Sequence, residues 1–458
     1  MRIYLLIMTL MIVLLPAAIR DVAPQGRPKL GPGRKYTTIE RVQPERLAAL
    51  HRGRLARSGT RHEVRLATDL RDYRAILHAH AEDATHTGGT RPEMLAAAKR
   101  AGVQVIMLTD HVRPQRDFIN DSWRGMREGV LFIPGAEAEG FLVYPQRSIK
   151  GEPFSNRAEY IALAKRGGGD IFLSHVEERF DWPTAELDGL EIYNNHTDIK
   201  DEGPFLMWLT SALSDPARLS QLSKALDEYP TEFFGASQDY LTPIIEKWDR
   251  DLLTNRSTGV AANDCHHNQG FTIRVGTANS IEILEMVGGD KPRTITVEQQ
   301  PRIAEMIQGR KAGDVIARID IDPYERSMNF VSTHILASEL NEESVRDALR
   351  RSHAYVAHDW LTDPTGFAFV ARDEGSSRNL GIMGDEIALR SKLQLQIEAP
   401  GVGAIKLFHN GRIVGEAESD RMVFKVEAPG VYRVEIWLSV DGELRPWIYS
   451  NAIRVLPR

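Results

Sequence analysis

Six short apolar runs in this sequence each lead directly into residues that can bind a metal ion. Each run has the length and composition of a buried β-strand. The endings, in chain order, are His78-Ala79-His80, Thr109-Asp110-His111, Glu137-Ala138-Glu139, Ser174-His175, Asn194-Asn195-His196 and Asp264-Cys265-His266-His267. Unrelated structural histidines have no reason to prefer one end of every strand. The repetition therefore predicts one shared metal site.

Helix-like segments between these runs predict the architecture. Residues 92–102 and 158–168 have the apolar spacing of helices, with Pro92 suited to a first helical turn and Gly102 to a helix end. Alternating strands and helices predict an α/β fold with a parallel sheet. If that sheet closes into a barrel, its active site lies at the carboxyl ends of the strands. Ligands placed there would converge on one pocket.

The two-residue period of a strand separates the ligand candidates from their neighbours. His78 and His80 are expected to point to the same side, as are Asp264 and His266, with Cys265 on the opposite side. This argues against a Cys–His nucleophile. Cys265 is predicted to be a small buried apolar residue.

The ordered motifs resemble those of the PHP (polymerase and histidinol phosphatase) superfamily. The likeness covers about residues 75–270, and the run HAHAEDATHTGGTRPEMLAAAKRAGVQVIMLTDH is similar to that superfamily's opening strand–loop–helix–strand unit. The resemblance implies a distorted (β/α)7 TIM-like barrel that binds two or three divalent ions, manganese, zinc or iron. It also implies a hydrolase that acts on phosphoesters.

The resemblance further implies three sets of ion ligands. The first set comprises His78, His80, Glu137 and Asp264. Glu137 would bridge to a second ion, whose set is completed by His175 and His196. The third set comprises His111, His266 and a side chain from the loop 82–87.

The loop ligand is where this sequence departs from the superfamily. Thr87 stands before Gly88, where an acidic residue is usual. His86 is the predicted ligand, and Asp83 is the alternative. A neutral imidazole in place of a carboxylate would favour softer ions such as zinc or iron.

Further residues are candidates for roles beside the ions. Asp110 is the predicted catalytic residue, and Asp110 or Glu139 would orient a ligating imidazole or transfer a proton. Arg113, on the loop after Asp110, is a candidate phosphate ligand, with a plain surface arginine as the alternative. His267 is left unassigned. Three later histidines, which lack a ligand-type partner two residues away, are predicted to be structural: His334, His353 and His358.

Composition narrows the chemistry. A single Cys beside 14 His excludes a disulfide framework and a Cys-rich zinc site. The net charge of −6 gives no indication of nucleic-acid binding.

Paired divalent ions generate hydroxide from bound water and hold phosphoryl oxygens. Together with the resemblance, this predicts a metal-dependent hydrolase that uses metal-bound hydroxide on a small-molecule phosphomonoester or phosphodiester. Two alternatives stay open, an amidohydrolase-type C–N hydrolase and a non-catalytic metal-dependent binding protein at the cell surface.

The amino terminus predicts export. Arg2, an apolar run to about Leu15 and small residues after Pro16 are typical of a signal peptide over residues 1–20. This predicts a periplasmic or extracellular protein, with an uncleaved membrane anchor as the alternative. Residues 21–70 are predicted to be a spacer and a solvated basic helix.

The rest of the sequence is predicted to form two domains, a barrel and a small β-sandwich. The barrel is assigned residues 71–358, with a helical insertion at 197–255 over the pocket and a closing segment at 271–355 that contains a helix near 341–352. Residues 359–458 are predicted to form a small antiparallel β-sandwich with hairpin turns at Asn410-Gly411 and Asp441-Gly442. The insertion's aromatics, as well as Trp437 and Trp447, are predicted to be core residues, with substrate, carbohydrate or partner binding as the alternative.

Overall fold

The computed structural model describes residues 31–64, 69–289 and 291–458. Across these ranges the chain is a mixed α/β protein with several sheets. The predicted signal peptide lies outside the described residues. Within the described part, none of the helices has the length and apolarity needed to cross a bilayer.

Helices and strands are numbered in chain order. The helices are α1 (Thr38–Arg41), α2 (Pro44–Thr60), α3 (Arg91–Ala101), α4 (Arg157–Arg166), α5 (Asn195–Lys200), α6 (Gly203–Ala212), α7 (Pro216–Glu228), α8 (Pro230–Phe234), α9 (Thr242–Thr254), α10 (Ile303–Ile307), α11 (Tyr324–Phe330) and α12 (Glu342–Arg350). The strands up to the last cluster motif are β1 (Arg71–Ile76), β2 (Val105–Met107), β3 (Asp110–His111), β4 (Gly125–Arg127), β5 (Val130–Ile133), β6 (Ala136–Ala138), β7 (Phe141–Tyr144), β8 (Asp170–Leu173), β9 (Gly189–Asn194) and β10 (Thr258–Ala262). The later strands are β11 (Gly270–Val275), β12 (Ser280–Glu285), β13 (Arg293–Thr296), β14 (Val315–Asp320), β15 (Ser332–Ala337), β16 (Ala354–Ala357), β17 (Ala368–Asp373), β18 (Gly381–Ile382), β19 (Glu386–Ala388), β20 (Leu393–His409), β21 (Arg412–Lys425), β22 (Gly430–Val440), β23 (Glu443–Ser450) and β24 (Ile453–Leu456).

Two sheets carry the motifs found in the sequence. One contains the order β16-β15-β1-β2-β5-β4, and the other has the order β10-β9-β8-β7-β6-β3. The parallel pairs β1–β2, β2–β5, β8–β9 and β9–β10 confirm the predicted α/β character. Strand β7 departs from the prediction, since it pairs antiparallel with both β6 and β8. Among the described residues, regular strand pairing does not join the two sheets into one closed barrel.

Backbone hydrogen bonds connect the two sheets at the strand ends that carry the sequence motifs. The Thr109 N–H donates to the Ala79 carbonyl over 3.0 Å, and the His80 N–H donates to the Cys265 carbonyl over 3.0 Å. These contacts place the end of β1 between the segments that follow β2 and β10. Cys265 is buried there, as predicted.

The carboxyl-terminal strands are mostly antiparallel and continue the sheet that contains β1. Strand β16 pairs antiparallel with β23, so hydrogen bonding runs on into β22, β20 and β17. The two predicted hairpin turns are confirmed, because His409 pairs with Arg412 and Val440 pairs with Glu443. Asn410 and Asp441 take positive φ angles of 51° and 49°, as such two-residue turns require.

Residues 271–355 are more elaborate than a closing segment. The predicted helix is confirmed as α12, with Asn341 accepting a hydrogen bond from the Ser344 N–H. Strands β11 to β14, however, form a separate antiparallel sheet. Its inner face shares a buried core with helices α6 to α8 of the insertion. The sequence prediction missed this unit.

The segment at 31–64 is packed, where a spacer and a solvated helix were predicted. Val42 and Leu47 have no exposed surface, and Arg41 is only 2 % exposed. The Arg41 Nε lies 3.0 Å from a Glu443 carboxylate oxygen, and Nη1 donates to the carbonyls of Ala236 and Gln238. The prediction of a solvated segment was therefore wrong for its inner face.

Three of the tryptophans predicted as core residues are buried, whereas Trp208 is half-buried. Trp248, Trp437 and Trp447 lie in the interior, and the Trp447 indole N–H donates to the Thr362 carbonyl. Phe233 is buried in the core beneath the insertion. The core prediction is confirmed for these four residues.

Candidate metal centre

The HxH motif lies just beyond β1, with both imidazoles completely buried. The Nε2 atoms of His78 and His80 are 3.1 Å apart, so the two rings point to one position as the two-residue period predicts. The intervening Ala79 instead bridges Cys265. Three groups of potential metal ligands are built around this pair.

The first group comprises His78, His80 and Asp264, whose donor atoms lie within 4.8 Å of one another. Asp264 Oδ1 is 3.3 Å from His78 Nε2 and 3.5 Å from His80 Nε2. Glu137 Oε2 approaches the same two nitrogens at 3.6 and 3.8 Å. The four side chains predicted for one ion are therefore together.

The second group comprises His78, Glu137 and His175. Glu137 uses its other oxygen here, with Oε1 at 3.1 Å from His175 Nε2. Asp264 Oδ2 also faces this side, at 3.5 Å from both His175 Nε2 and His196 Nδ1. Glu137 and Asp264 thus each present one oxygen to the first group and one toward the second.

The third group comprises His80, His111 and His266. The rings of His80 and His266 are stacked with centroids 4.1 Å apart. His86 lies beside them, with its ring centroid 4.6 Å from that of His111 and 5.2 Å from that of His266. The structure therefore brings the predicted loop residue His86 next to this group.

The donor atoms fit a divalent ion in spacing and in chemistry. Two ligands held about 2.1 Å from one ion at a tetrahedral angle are about 3.4 Å apart. The nitrogen–oxygen and nitrogen–nitrogen distances of the first group run from 3.1 to 3.5 Å. Buried Asp264 Oδ1 and His266 Nε2 make no hydrogen bond with any described residue. Imidazole and carboxylate donors together suit zinc, manganese or iron.

Opposite charges stabilise each other across the cluster. Burial acts to lower the pKa of His78 and His80, but nearby carboxylates outweigh it, above all Asp264. The pKa of His78 is held well above its usual value, and that of His80 is raised to about 9. Conversely, the histidines hold the pKa values of Glu137 and Asp264 well below their usual range against the effect of burial. The carboxylates are thus negatively charged and ready to bind a cation.

Asp83, the alternative loop ligand, supports two imidazoles from behind. Its Oδ2 atom lies 2.9 Å from His80 Nδ1 and 2.7 Å from His111 Nδ1. The same oxygen accepts the His111 backbone N–H, and Oδ1 accepts the Thr87 hydroxyl. A carboxylate engaged in this way orients ligands.

Glu191 is a site residue that sequence reasoning missed. It lies on β9 with no exposed surface, and its Oε1 is 2.7 Å from His78 Nδ1. Its Oε2 accepts the His175 backbone N–H at 2.8 Å. The sequence could have indicated Glu191, because it is the one charged residue in the apolar run Leu190–Tyr193. A charge buried in such a strand needs a partner.

Asp110, Arg113 and Glu139 belong to none of the three donor groups. The Asp110 carboxylate is buried and paired with Arg91 at 2.7 Å and Arg116 at 2.9 Å. Burial raises its pKa despite these two cations. Arg113 is half-buried on the loop after His111, and Glu139 is exposed. His267 pairs with Asp320 outside the cluster.

Several cluster segments have strained backbone. His175 and Asp264 adopt positive φ angles of 44° and 48°, and Glu82 and Glu139 adopt 57° and 54°. Such angles are costly for residues other than glycine and concentrate at functional sites. The strain allows a strand end to turn its side chain into the cluster.

Comparison with known proteins finds a similarity among solved structures only. The chain matches no protein-family model and no curated protein. Among solved structures it is similar to a two-domain protein from Bacteroides vulgatus that contains a predicted PHP-like metal-dependent phosphoesterase. The TM-score is 0.32 with 12 % identity, over 85 % of this chain and 98 % of the other.

Proposed function

We propose that this chain is a metal-dependent hydrolase of the PHP type that cleaves phosphoesters. The observation that carries the proposal is the convergence of three ligand groups on His78 and His80. Glu137 and Asp264 each face two of these groups with separate oxygens. Shared carboxylates of this kind are typical of sites that hold several divalent ions side by side.

The chain's own side chains would hold the ions and admit the substrate. Bound divalent ions would supply activated water and charge neutralisation for a phosphoryl group. His78, His80 and Asp264 are almost completely buried and would exclude bulk water from the inner side. The side chains of His196 and His111 are 46 % and 29 % exposed, so they mark the side that solvent and substrate can reach.

The proposal assigns no proton transfer to Asp110. Its carboxylate is neutralised by Arg91 and Arg116. The hydrogen bonds that orient imidazoles come instead from Asp83 and Glu191.

The proposal also includes the fold. The two motif-bearing sheets would together form one distorted (β/α)7 barrel, followed by the β-sandwich at 359–458. The hydrogen bonds from Thr109 to Ala79 and from His80 to Cys265 support this arrangement. Export remains a prediction from residues 1–20.

Metal content and substrate class test the proposal together. Elemental analysis of protein purified without chelator is expected to show bound manganese, zinc or iron. A panel of phosphomonoesters, phosphodiesters and amides, each assayed with added ions, is expected to show phosphoester turnover. Turnover of amides alone would identify a C–N hydrolase instead. Bound metal without any turnover would favour the non-catalytic binding protein, and absence of bound metal would refute the proposed site.

Variants locate the activity. His80→Ala and Asp264→Ala are expected to lose bound metal and activity while the far-ultraviolet circular dichroism is retained. His353→Gln is the matched control, because His353 pairs with Asp385 in the carboxyl-terminal part of the chain. Full metal content and activity in both site variants would refute the assignment.

A further inference from the structure

A ligating histidine must present one ring nitrogen to the metal and commit the other to a partner. That partner fixes both the tautomer and the orientation of the ring. In this cluster the partners of three central imidazoles are two carboxylates, Asp83 and Glu191. Both carboxylates are completely buried, and neither belongs to the three donor groups.

Asp83 serves two imidazoles with a single oxygen. Oδ2 is 2.9 Å from His80 Nδ1 and 2.7 Å from His111 Nδ1. The Nε2 atoms of His80 and His111 are thereby left free to bind a metal ion. Because Asp83 also accepts the His111 backbone N–H, this one carboxylate fixes the end of β1 relative to β3.

Glu191 acts from the opposite side. Oε1 is 2.7 Å from His78 Nδ1, while Oε2 accepts the His175 backbone N–H at 2.8 Å and the Asn194 side-chain amide at 2.9 Å. It therefore holds one imidazole directly and holds the strained backbone of His175 as well.

We propose that Asp83 and Glu191 are positioning residues that divide control of the three ligand groups. This inference rests on the proposed function. Asp83 controls the first and third groups through His80 and His111, and Glu191 controls the first and second groups through His78. The first group alone takes an imidazole from each, so it depends on both carboxylates.

Nitrogen NMR of ¹⁵N-histidine-labelled protein tests the orientation without any variant. His78, His80 and His111 are expected to carry a proton on Nδ1, both in zinc-free and in zinc-loaded protein, with Nε2 unprotonated after zinc is added. Asp83→Asn is expected to change the Nδ1 signals of His80 and His111 and to leave that of His78 in place. Glu191→Gln is expected to do the reverse. Nδ1 without a proton in the zinc-loaded wild type would overturn the proposal.

Calorimetric titration with zinc tests the division of control. Loss of a carboxylate that orients a ligating imidazole lowers metal affinity by about 10- to 100-fold. Asp83→Asn is expected to weaken the first and third groups by this factor and to leave the second group unchanged. Glu191→Gln is expected to weaken the first and second groups only. His175→Ala and His266→Ala, which each remove a ligand from one group, assign the titration steps.

Thr87→Val is the matched control, since it removes the hydroxyl that donates to Asp83 Oδ1 and leaves the imidazole contacts intact. Its zinc affinities are expected to equal those of the wild type. Equal effects of Thr87→Val and Asp83→Asn, or no effect of Asp83→Asn, would overturn the proposal. A wild type that binds neither zinc, manganese nor iron would instead refute the proposed function. The NMR test on zinc-free protein separates that outcome from a failure of the positioning roles.

Discussion

His334 is a buried imidazole held between two carboxylates where β1 meets β15. Its Nδ1 lies 2.8 Å from Asp72, and its Nε2 lies 3.0 Å from Asp359, which also pairs with Arg74. Burial acts to lower its pKa, but the two carboxylates outweigh burial and raise it from 6.5 to about 9. Since β1 leads directly into His78 and His80, this pairing helps to hold the candidate metal centre in place.

The expected consequence is a loss of stability in alkaline solution. Because the pKa of His334 is higher in the folded protein, its protonation stabilises the folded state fully at pH values below 6.5, the pKa in the unfolded chain. This contribution is lost as the pH rises through about 9. The shift corresponds to about 3 kcal/mol of unfolding free energy, as an upper estimate for a buried group. His334→Gln lacks the titrating group and is expected to lose less stability over the same range.

Urea unfolding measured at pH 6, 7.5 and 9.5 checks this expectation. The stability difference between wild type and His334→Gln should shrink steadily from pH 6 to pH 9.5. The two carboxylates also accept hydrogen bonds from hydroxyl groups, Asp72 from Tyr355 and Asp359 from Ser332. Both hydroxyl groups are present in the wild type and in the variant, so they do not contribute to the difference. A difference that stays constant with pH would refute the reasoning.

Three further predictions concern packing and ions. Gly89→Ala should destabilise the loop at 82–89 by about 1–3 kcal/mol, because a Cβ there would lie 2.2 Å from the buried Tyr324 ring; thermal unfolding of the variant measures this, and an unchanged midpoint would contradict it. Arg41→Met should cost about 3 kcal/mol in urea unfolding, because it leaves the buried Glu443 carboxylate with fewer partners; a neutral effect would show that the ion pair contributes little. Zinc at about 100 times its dissociation constant should stabilise the protein by about 2.7 kcal/mol per independent site, and chelator should reverse the gain; an unfolding midpoint that zinc leaves unchanged would argue against specific binding.

The convergence of the cluster residues could be predicted from a local rule that the sequence displays directly. Residues at the ends of parallel strands share one edge of a sheet, and residues two apart share one face. His78, His80, His175 and Asp264 obey these rules and lie together. The same reasoning separated Cys265 from its neighbours, and Cys265 is buried beside Ala79.

The parts that were missed depend on contacts between distant segments. Asp83 and Glu191 were not assigned as orienting residues, because their partners come from other strands and loops. No strand period tells which carboxylate faces the back of an imidazole. Asp110 was predicted to be catalytic because it lies beside His111 in the sequence. Its carboxylate instead pairs with Arg91 on α3 and Arg116 on a loop, and neither contact is visible in the sequence.

Long-range packing also explains the differences in fold. The apolar residues at 38–50 are too few to predict burial, and only the partner surface at Glu443 and Ala236 makes Arg41 an interior residue. The strands of the sheet β11 to β14 alternate weakly between apolar and polar residues, because apolar residues such as Val315 and Ile316 also occupy exposed or half-buried positions. Its inner face is buried only by helices of the insertion.

The pairing of β1 with β15 has a consequence for biosynthesis. Arg71 pairs with Ala337, and β15 in turn pairs with β16, which is bound to β23 near the end of the chain. The strand that leads into the HxH motif therefore acquires one of its two neighbours only after most of the polypeptide has been made. Such distant pairings are slow to form, and unpaired strand edges invite aggregation in the meantime. Newly made chains should accordingly depend on chaperones until their last hundred residues are available, and a truncated chain that ends before β15 should be insoluble even though it contains every proposed metal ligand.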